Sequence, residues 1–129
     1  MTLFSRSVLV GAALLLGACT TPIGSEGPGA TRETPLGPVL VDANGMTLYT
    51  YDGDLPDRPS CYSLCVFMWP FLEAAPNAQP RGDFTIVNRD GGSRQWEYKR
   101  QPLYGYRLDS APGEVSGDGV ESTWHVARP

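Results

Sequence analysis

Cys61 and Cys65, four positions apart, are the residues whose type and spacing bear on chemistry most directly. Two chemistries are open to them. Joined, they form a structural disulfide closing a five-residue loop, worth about 2 kcal/mol on a chain-entropy estimate. Kept as thiolates, they offer soft ligands for copper(I) or a redox pair, with Met68, Met46 or His125 available to complete the set. Geometry sets a condition. Residues four apart on a regular helix have Cβ atoms about 5–6 Å apart, whereas a disulfide needs about 3.5–4.5 Å. A bridge therefore requires a turn or a distorted helix start at 61–65. Other catalytic chemistry is thin: His125 is the single histidine, and there is no Gly-x-Ser-x-Gly elbow and no zinc-spaced cluster. The acids Asp52, Asp54 and Asp57 lack the ligand pattern of a calcium loop. The glycine-rich run 113–119 carries two acids and no lysine, so it would repel phosphate. The expectation is a protein that is not an enzyme and holds no cofactor, with copper as the alternative.

A second constellation is aromatic and acidic. Tyr49, Tyr51 and Asp54 recur as Tyr104, Tyr106 and Asp109, and Leu48 recurs as Leu103, all at an offset of 55. Four coincidences at one offset indicate an internal repeat. A Tyr-x-Tyr pair places two large side chains on one strand face, about 7 Å apart, and an Asp three residues later suits the turn that ends the strand. Two readings follow. In the first the motif is a strand and its terminating turn. In the second the four tyrosines form a platform for a flat ligand or glycan, with Trp69 and Pro70 extending the contact surface.

The elements that would position these residues are short strands. Candidates are 38–42, 46–51, 84–88, 94–99, 103–109 and 123–126, with Asn44-Gly45 and Asp90-Gly91-Gly92 as hairpin turns. Alternation puts Tyr49 and Tyr51 on one face and Met46 and Leu48 on the other. The best helical stretch, 63–74, is interrupted by Pro70. Fifteen Gly and twelve Pro in 129 residues argue against a helical bundle. The predicted fold is all-β: a small antiparallel β domain built from two related β-hairpin units, with one short helical or turn segment near 61–74.

The N-terminus carries an address. Met1 to Ala18 has one positive charge, Arg6, then an apolar run and small residues, which is the layout of a signal peptide. The run is too short for a membrane-spanning helix. Leu16-Gly17-Ala18-Cys19 resembles the lipobox of bacterial lipoproteins, whose cysteine is acylated and becomes the new N-terminus. That resemblance implies a lipid anchor on Cys19, effectively permanent with several acyl chains. Thr20 stands where an Asp would resemble the inner-membrane retention signal, so the outer membrane is the expected site, facing the periplasm or exterior. Residues 20–34 contain one large apolar side chain, Ile23, and read as a flexible tether. The expected organisation is a signal peptide over 1–18, the lipidated cysteine and tether over 19–36, and a β domain over 37–129. A net charge of −4 with a single lysine, Lys99, disfavours a nucleic-acid partner.

The doubled motif, the Asn-Gly-Met-Thr-Leu-Tyr opening, the Cys-x3-Cys before Trp69-Pro70 and the late Pro102-Leu103-Tyr104 together resemble the secreted-repeat bacterial lipoproteins with a Yx(FWY)xxD motif. The resemblance runs from Gly37 to Val126. It implies a small envelope lipoprotein whose biochemical activity is not specified. The functional expectation is a membrane-anchored binding or envelope-interaction module that meets an envelope component or small ligand. The alternative is a periplasmic redox or copper-handling protein using Cys61 and Cys65.

Overall fold

The hairpin predicted around Asn44-Gly45 forms because Gly45 takes a left-handed backbone (φ 83°) that the turn requires and Asp42 Oδ1 accepts the Asn44 and Met46 amides at 2.8 and 3.0 Å. In a computed structural model, which describes Gly11 and residues 27–129, the elements are β1 (Pro28–Thr34), β2 (Gly37–Asp42), β3 (Tyr49–Tyr51), α1 (Leu64–Met68), β4 (Phe84–Asn88), β5 (Arg94–Tyr98), β6 (Gln101–Pro102), a 3-10 turn (Val120–Ser122) and β7 (Trp124–Val126). All strand pairing is antiparallel, in sheets β1-β2, β3-β7 and β4-β5-β6. Apart from Gly11, the signal segment, Cys19 and the start of the tether lie outside the described residues. Among the described residues no helix is long and apolar enough to cross a membrane.

The β domain begins earlier than expected. Residues 28–34, read as tether, form β1 and pair with β2 from Pro28↔Asp42 to Thr34↔Gly37. Most of β1 is solvent-exposed. It is held by backbone bonds to β2, which leave no hydrophobic periodicity to read. The expected strand 103–109 is likewise cut short: only Tyr104 bridges, and the chain turns at Tyr106–Asp109, where the Asp109 amide donates to the Tyr106 carbonyl at 3.1 Å.

The middle of the molecule is a ladder of four segments. Val126 pairs with Tyr49, Tyr49 with Tyr104, and Tyr104 with Phe71. The Tyr49 and Tyr104 backbones exchange hydrogen bonds at 2.8 and 3.0 Å, so the two motif copies meet directly about a local two-fold axis. The flanking bonds repeat the symmetry: Ala127 donates to Leu48 at 2.8 Å, and Leu72 to Leu103 at 2.9 Å. The return strand of each repeat thus pairs with the other repeat's motif.

Alternation along these segments divides the buried side chains between two cores. Leu40, Leu48, Leu72, Ala74, Trp96, Leu103 and Ala127 form an aliphatic layer on one side. Tyr49, Trp69, Tyr104, Trp124, Val39, Val41, Val126 and Cys61 form an aromatic one on the other. In the aromatic core four rings stack in sequence: Tyr51 on Trp124 (4.4 Å), Trp124 on Trp69 (3.9 Å) and Trp69 on Tyr106 (4.2 Å). Trp69 and Trp124 are also 55 positions apart, so the stack straddles the same axis. Gly117 is required here, because a Cβ would come within 2.8 Å of Tyr49 and 2.9 Å of Trp69.

The helix expected over 63–74 is only Leu64–Met68, ended before Pro70, which cannot continue it. It begins from Ser63 with a left-handed backbone (φ 54°) and no side-chain cap. That break in helical geometry lets Cys61 and Cys65 join in a disulfide with Cα atoms 5.3 Å apart. A five-residue helix with no fully buried side chain is too short to persist on propensity alone, so this turn depends on the bond and on the packing of Val66 and Met68 against the aromatic core. Reducing it, or the Cys61→Ser/Cys65→Ser pair, should lower the unfolding free energy by about 2 kcal/mol in urea titration. An unchanged midpoint would mean that side-chain packing holds the segment without the bond.

Candidate functional site

The doubled motif closes on itself across the axis. The Tyr49 hydroxyl donates to Asp109 Oδ2 at 2.6 Å, and the Tyr104 hydroxyl donates to Asp54 Oδ2 at 2.9 Å. Each tyrosine therefore serves the other repeat's aspartate. The second oxygen of each carboxylate is bound within its own repeat: Asp54 Oδ1 accepts the Ser60 amide and hydroxyl, both at 2.8 Å, and Asp109 Oδ1 accepts the Ser116 amide at 3.1 Å and hydroxyl at 2.6 Å. The Tyr49 oxygen also accepts the Gly117 amide at 3.2 Å. Charge-assisted bonds of this kind are about twice as strong as neutral ones.

Electrostatics agree with a structural lock. Tyr49 and Tyr104 are both 0% exposed. Burial holds the Tyr49 phenol far above its usual range, reinforced by the bond to Asp109. Burial does the same for Tyr104, reinforced by the Asp54 charge. Asp54 is itself raised by burial, against the Ser60 and Tyr104 bonds that favour its ionised form. Both phenols are raised in the fold, so the unfolded chain loses its tyrosine protons first, and stability falls as pH rises above about 10.

The platform reading is corrected by this geometry. Tyr49, Tyr104 and Trp69 lie inside the aromatic core, Asp109 is buried, and only the outer rings Tyr51 and Tyr106 reach the surface, as the two ends of the stack. No open face of four tyrosines forms, because the pairing of the two copies turns Tyr49 and Tyr104 inward. The alternative copper ligands are not assembled either. Cys61 and Cys65 are bonded to each other, and His125 Nε2 lies 2.9 Å from Asp52 Oδ2. Among the described residues no group of three or more His, Cys, Asp or Glu side chains is placed to hold a metal ion. Sequence reasoning missed Ser60 and Ser116; a Ser six or seven positions after each motif Asp was the available signal.

Residues 30–73 and 85–128 each match the family described as a secreted repeat of unknown function. The chain belongs to this family. The two matched stretches start 55 positions apart, the same offset that superposes the tyrosines, the aspartates and the tryptophans. No curated protein and no solved structure matches the chain. Membership of the secreted repeat family carries an extracellular or envelope location.

Within this secreted repeat, what the copies share is committed to the core, and what they do not share is free to differ. Leu64, Phe67 and Leu108 are 87%, 63% and 61% exposed. Their counterparts at the 55-residue offset are Gly119, Ser122 and Gly53. Leu64 and Phe67 lie three apart on one face of α1. Beside them Arg107 sets its guanidinium over the Phe67 ring at 4.2 Å and bonds the Phe67 carbonyl, and its amide donates to the Met68 carbonyl at 2.9 Å. Leu64 and Phe67 thus form an apolar knob on the first repeat, stapled by the disulfide.

Tyr49→Phe should cost about 1–3 kcal/mol, because it strands a buried carboxylate oxygen and the Gly117 amide. Tyr104→Phe should cost less, since Asp54 is closer to solvent. Urea unfolding checks both, and two unchanged midpoints would remove the lock from the account.

Proposed function

We propose that the protein is a lipid-anchored envelope protein whose repeat domain is a non-enzymatic interaction module, with the disulfide-stapled knob of Leu64 and Phe67 as its contact surface. The observation that carries this is the asymmetry of the repeats. Leu64 and Phe67, on the short helix of the first copy, stand in solvent, and the same positions in the second copy hold only Gly119 and Ser122. The shared fold has no need of them. Exposed apolar side chains gathered in one place mark a surface that another molecule covers, and the partner that fits is an envelope protein with an apolar groove able to receive one face of a helical turn.

The anchor supports the same reading. Leu16-Gly17-Ala18-Cys19 ends the apolar signal-like run, and acylation of Cys19 would hold the domain at a bilayer. Seven residues lie between Cys19 and Gly27, a reach of about 28 Å when fully extended. Confined to that height, the knob meets partners in or on the same membrane at a raised effective concentration.

Two measurements test the two parts separately. Cys19→Ser should move the protein from the membrane fraction to the soluble fraction; continued sedimentation with membranes would refute the anchor. Leu64→Ser/Phe67→Ser should leave the urea midpoint within about 0.5 kcal/mol of the parent while abolishing crosslinking of the anchored protein to envelope proteins. Crosslinks that persist unchanged in the double variant would place the contact elsewhere.

A further inference from the structure

Trp96 is larger than its place in the fold requires. Its amide donates to the Leu72 carbonyl at 2.8 Å, and its carbonyl accepts the Leu103 amide at 3.0 Å. Leu40 makes the same two bonds in the other half, to Ala127 at 2.8 Å and from Leu48 at 3.0 Å, so Leu40 and Trp96 are equivalents. The next residues, Val41 and Glu97, stand in the same relation, bridging to Thr47 and Pro102. Leu40 and Trp96 both belong to the aliphatic layer, where one half of the molecule is content with a leucine. The indole adds a ring N–H, a donor that a buried tryptophan ordinarily satisfies. Trp96 is only 5% exposed, yet among the described residues its Nε1 has no hydrogen-bond partner. That atom is turned toward Gly27, where a Cβ would meet it at 3.7 Å, and Gly27 and Trp96 both line a cavity of about 430 Å³.

The walls of this cavity are fixed by the fold. On the side of the first hairpin, the Gly27 carbonyl accepts the Ala43 amide at 2.9 Å, and Pro28 pairs with Asp42. The 75–78 turn supplies another wall, closed by the Ala78 amide donating to the Ala75 carbonyl at 2.9 Å. Arg94 clips that turn from its own strand: Nη1 donates to the Ala75 and Pro76 carbonyls at 2.9 and 3.0 Å, and Nη2 to the Ala78 carbonyl at 3.3 Å. Pre-formed walls of this kind are the usual condition of a small-molecule site. Arg81, which is exposed, also lines the cavity. Its backbone exchanges two bonds with Phe84, both at 2.9 Å, and its Nη2 donates to the Pro28 carbonyl. Nε and Nη1 remain as donors. Two adjacent residues thus bring two donors together, Gly27 lying against the Trp96 Nε1 and Pro28 holding the Arg81 guanidinium.

The chemistry of the lining is one-sided. Ala43, Ala75, Ala78 and Pro28 are apolar, while the Asn77 and Gln79 amides join Trp96 and Arg81 as groups able to donate. No acidic side chain lines the cavity. In a chain of net charge −4, a cavity whose single charged side chain is a guanidinium favours an anion. We propose that this cavity binds a small carboxylic acid with an apolar body, a short acyl chain or a single ring, whose carboxylate accepts from Arg81 and Trp96. Hydrogen bonds from a guanidinium to a carboxylate are charge-assisted and among the strongest available to a side chain. The site shares no residue with the Leu64–Phe67 knob, so it stands whether or not the knob meets a protein partner.

Octanoate is the probe. In proton–nitrogen correlation spectra of the purified protein, sodium octanoate should move the Trp96 indole N–H resonance, assigned by its through-space contact with Gly27. The shift should saturate in the millimolar range and exceed those of Trp69 and Trp124. Arg81→Gln, a change at the exposed rim, should raise the dissociation constant about tenfold, and octylamine, with the charge reversed, should give no saturable shift. A Trp96 resonance that octanoate leaves in place would overturn the proposal, as would octanol binding as tightly as octanoate or an unchanged affinity in Arg81→Gln. A resonance that moves in Ile23→Ser without any additive, and does not respond to octanoate, would assign the cavity to the chain's own residues 20–26 and overturn it equally.

Discussion

The structure depends on an exchange of hydrogen bonds between two copies of one motif. Neither repeat satisfies its own aspartate: Asp54 waits for Tyr104 and Asp109 for Tyr49. Neither completes its own ladder, since Leu72 reaches Leu103 and Ala127 reaches Leu48. A single repeat would leave two tyrosines in water, one strand edge open and a motif carboxylate without its phenol. The unit of folding is therefore the pair. This explains why the family sequence occurs twice within one folded unit.

The aromatic stack follows from the same axis. Once Tyr49 and Tyr104 lie back to back, residues two further along point their rings outward along the core, and Trp69 and Trp124 fill the space between them. Edge-on contacts of Tyr49 with Trp69 at 5.5 Å and Tyr104 with Trp124 at 5.2 Å complete two related halves of one cluster. Each such pair adds about 0.5–1.5 kcal/mol beyond its buried area. Symmetry also sets apart what it does not explain. The knob on α1 and the buried Glu97 both break the repeat, so neither is a requirement of the common core.

Much of this was legible in the residues. The 55-residue offset in Leu, Tyr, Tyr and Asp revealed the repeat, Asn44-Gly45 marked the first hairpin, and the geometric condition on Cys61 and Cys65 was met by a left-handed Ser63. What stayed hidden depends on partnership. A repeat states that two segments are alike, not that they bind each other, so the inward turn of Tyr49 and Tyr104 could not be read from either copy. Trp69 beside Pro70 reads as surface, and only Trp124 at the same offset points to its place in the core. β1 escaped because Thr31, Arg32 and Glu33 show no apolar face. Glu97, between Trp96 and Tyr98, looks like the outward residue of an alternating strand, yet it is buried, with its carboxyl accepting the Thr85 hydroxyl.

The two Tyr-to-Asp bonds join residues 60 and 50 positions apart, and this bears on how a secreted chain arrives. Closing contacts of long range delay folding, since loop-closure entropy must be overcome before they form. Until Tyr104 and Asp109 have emerged, the first repeat has nothing to fold against. The first half of the chain therefore gains its fixed shape only when the second half is present to receive it, and the residues made last decide when the whole becomes rigid.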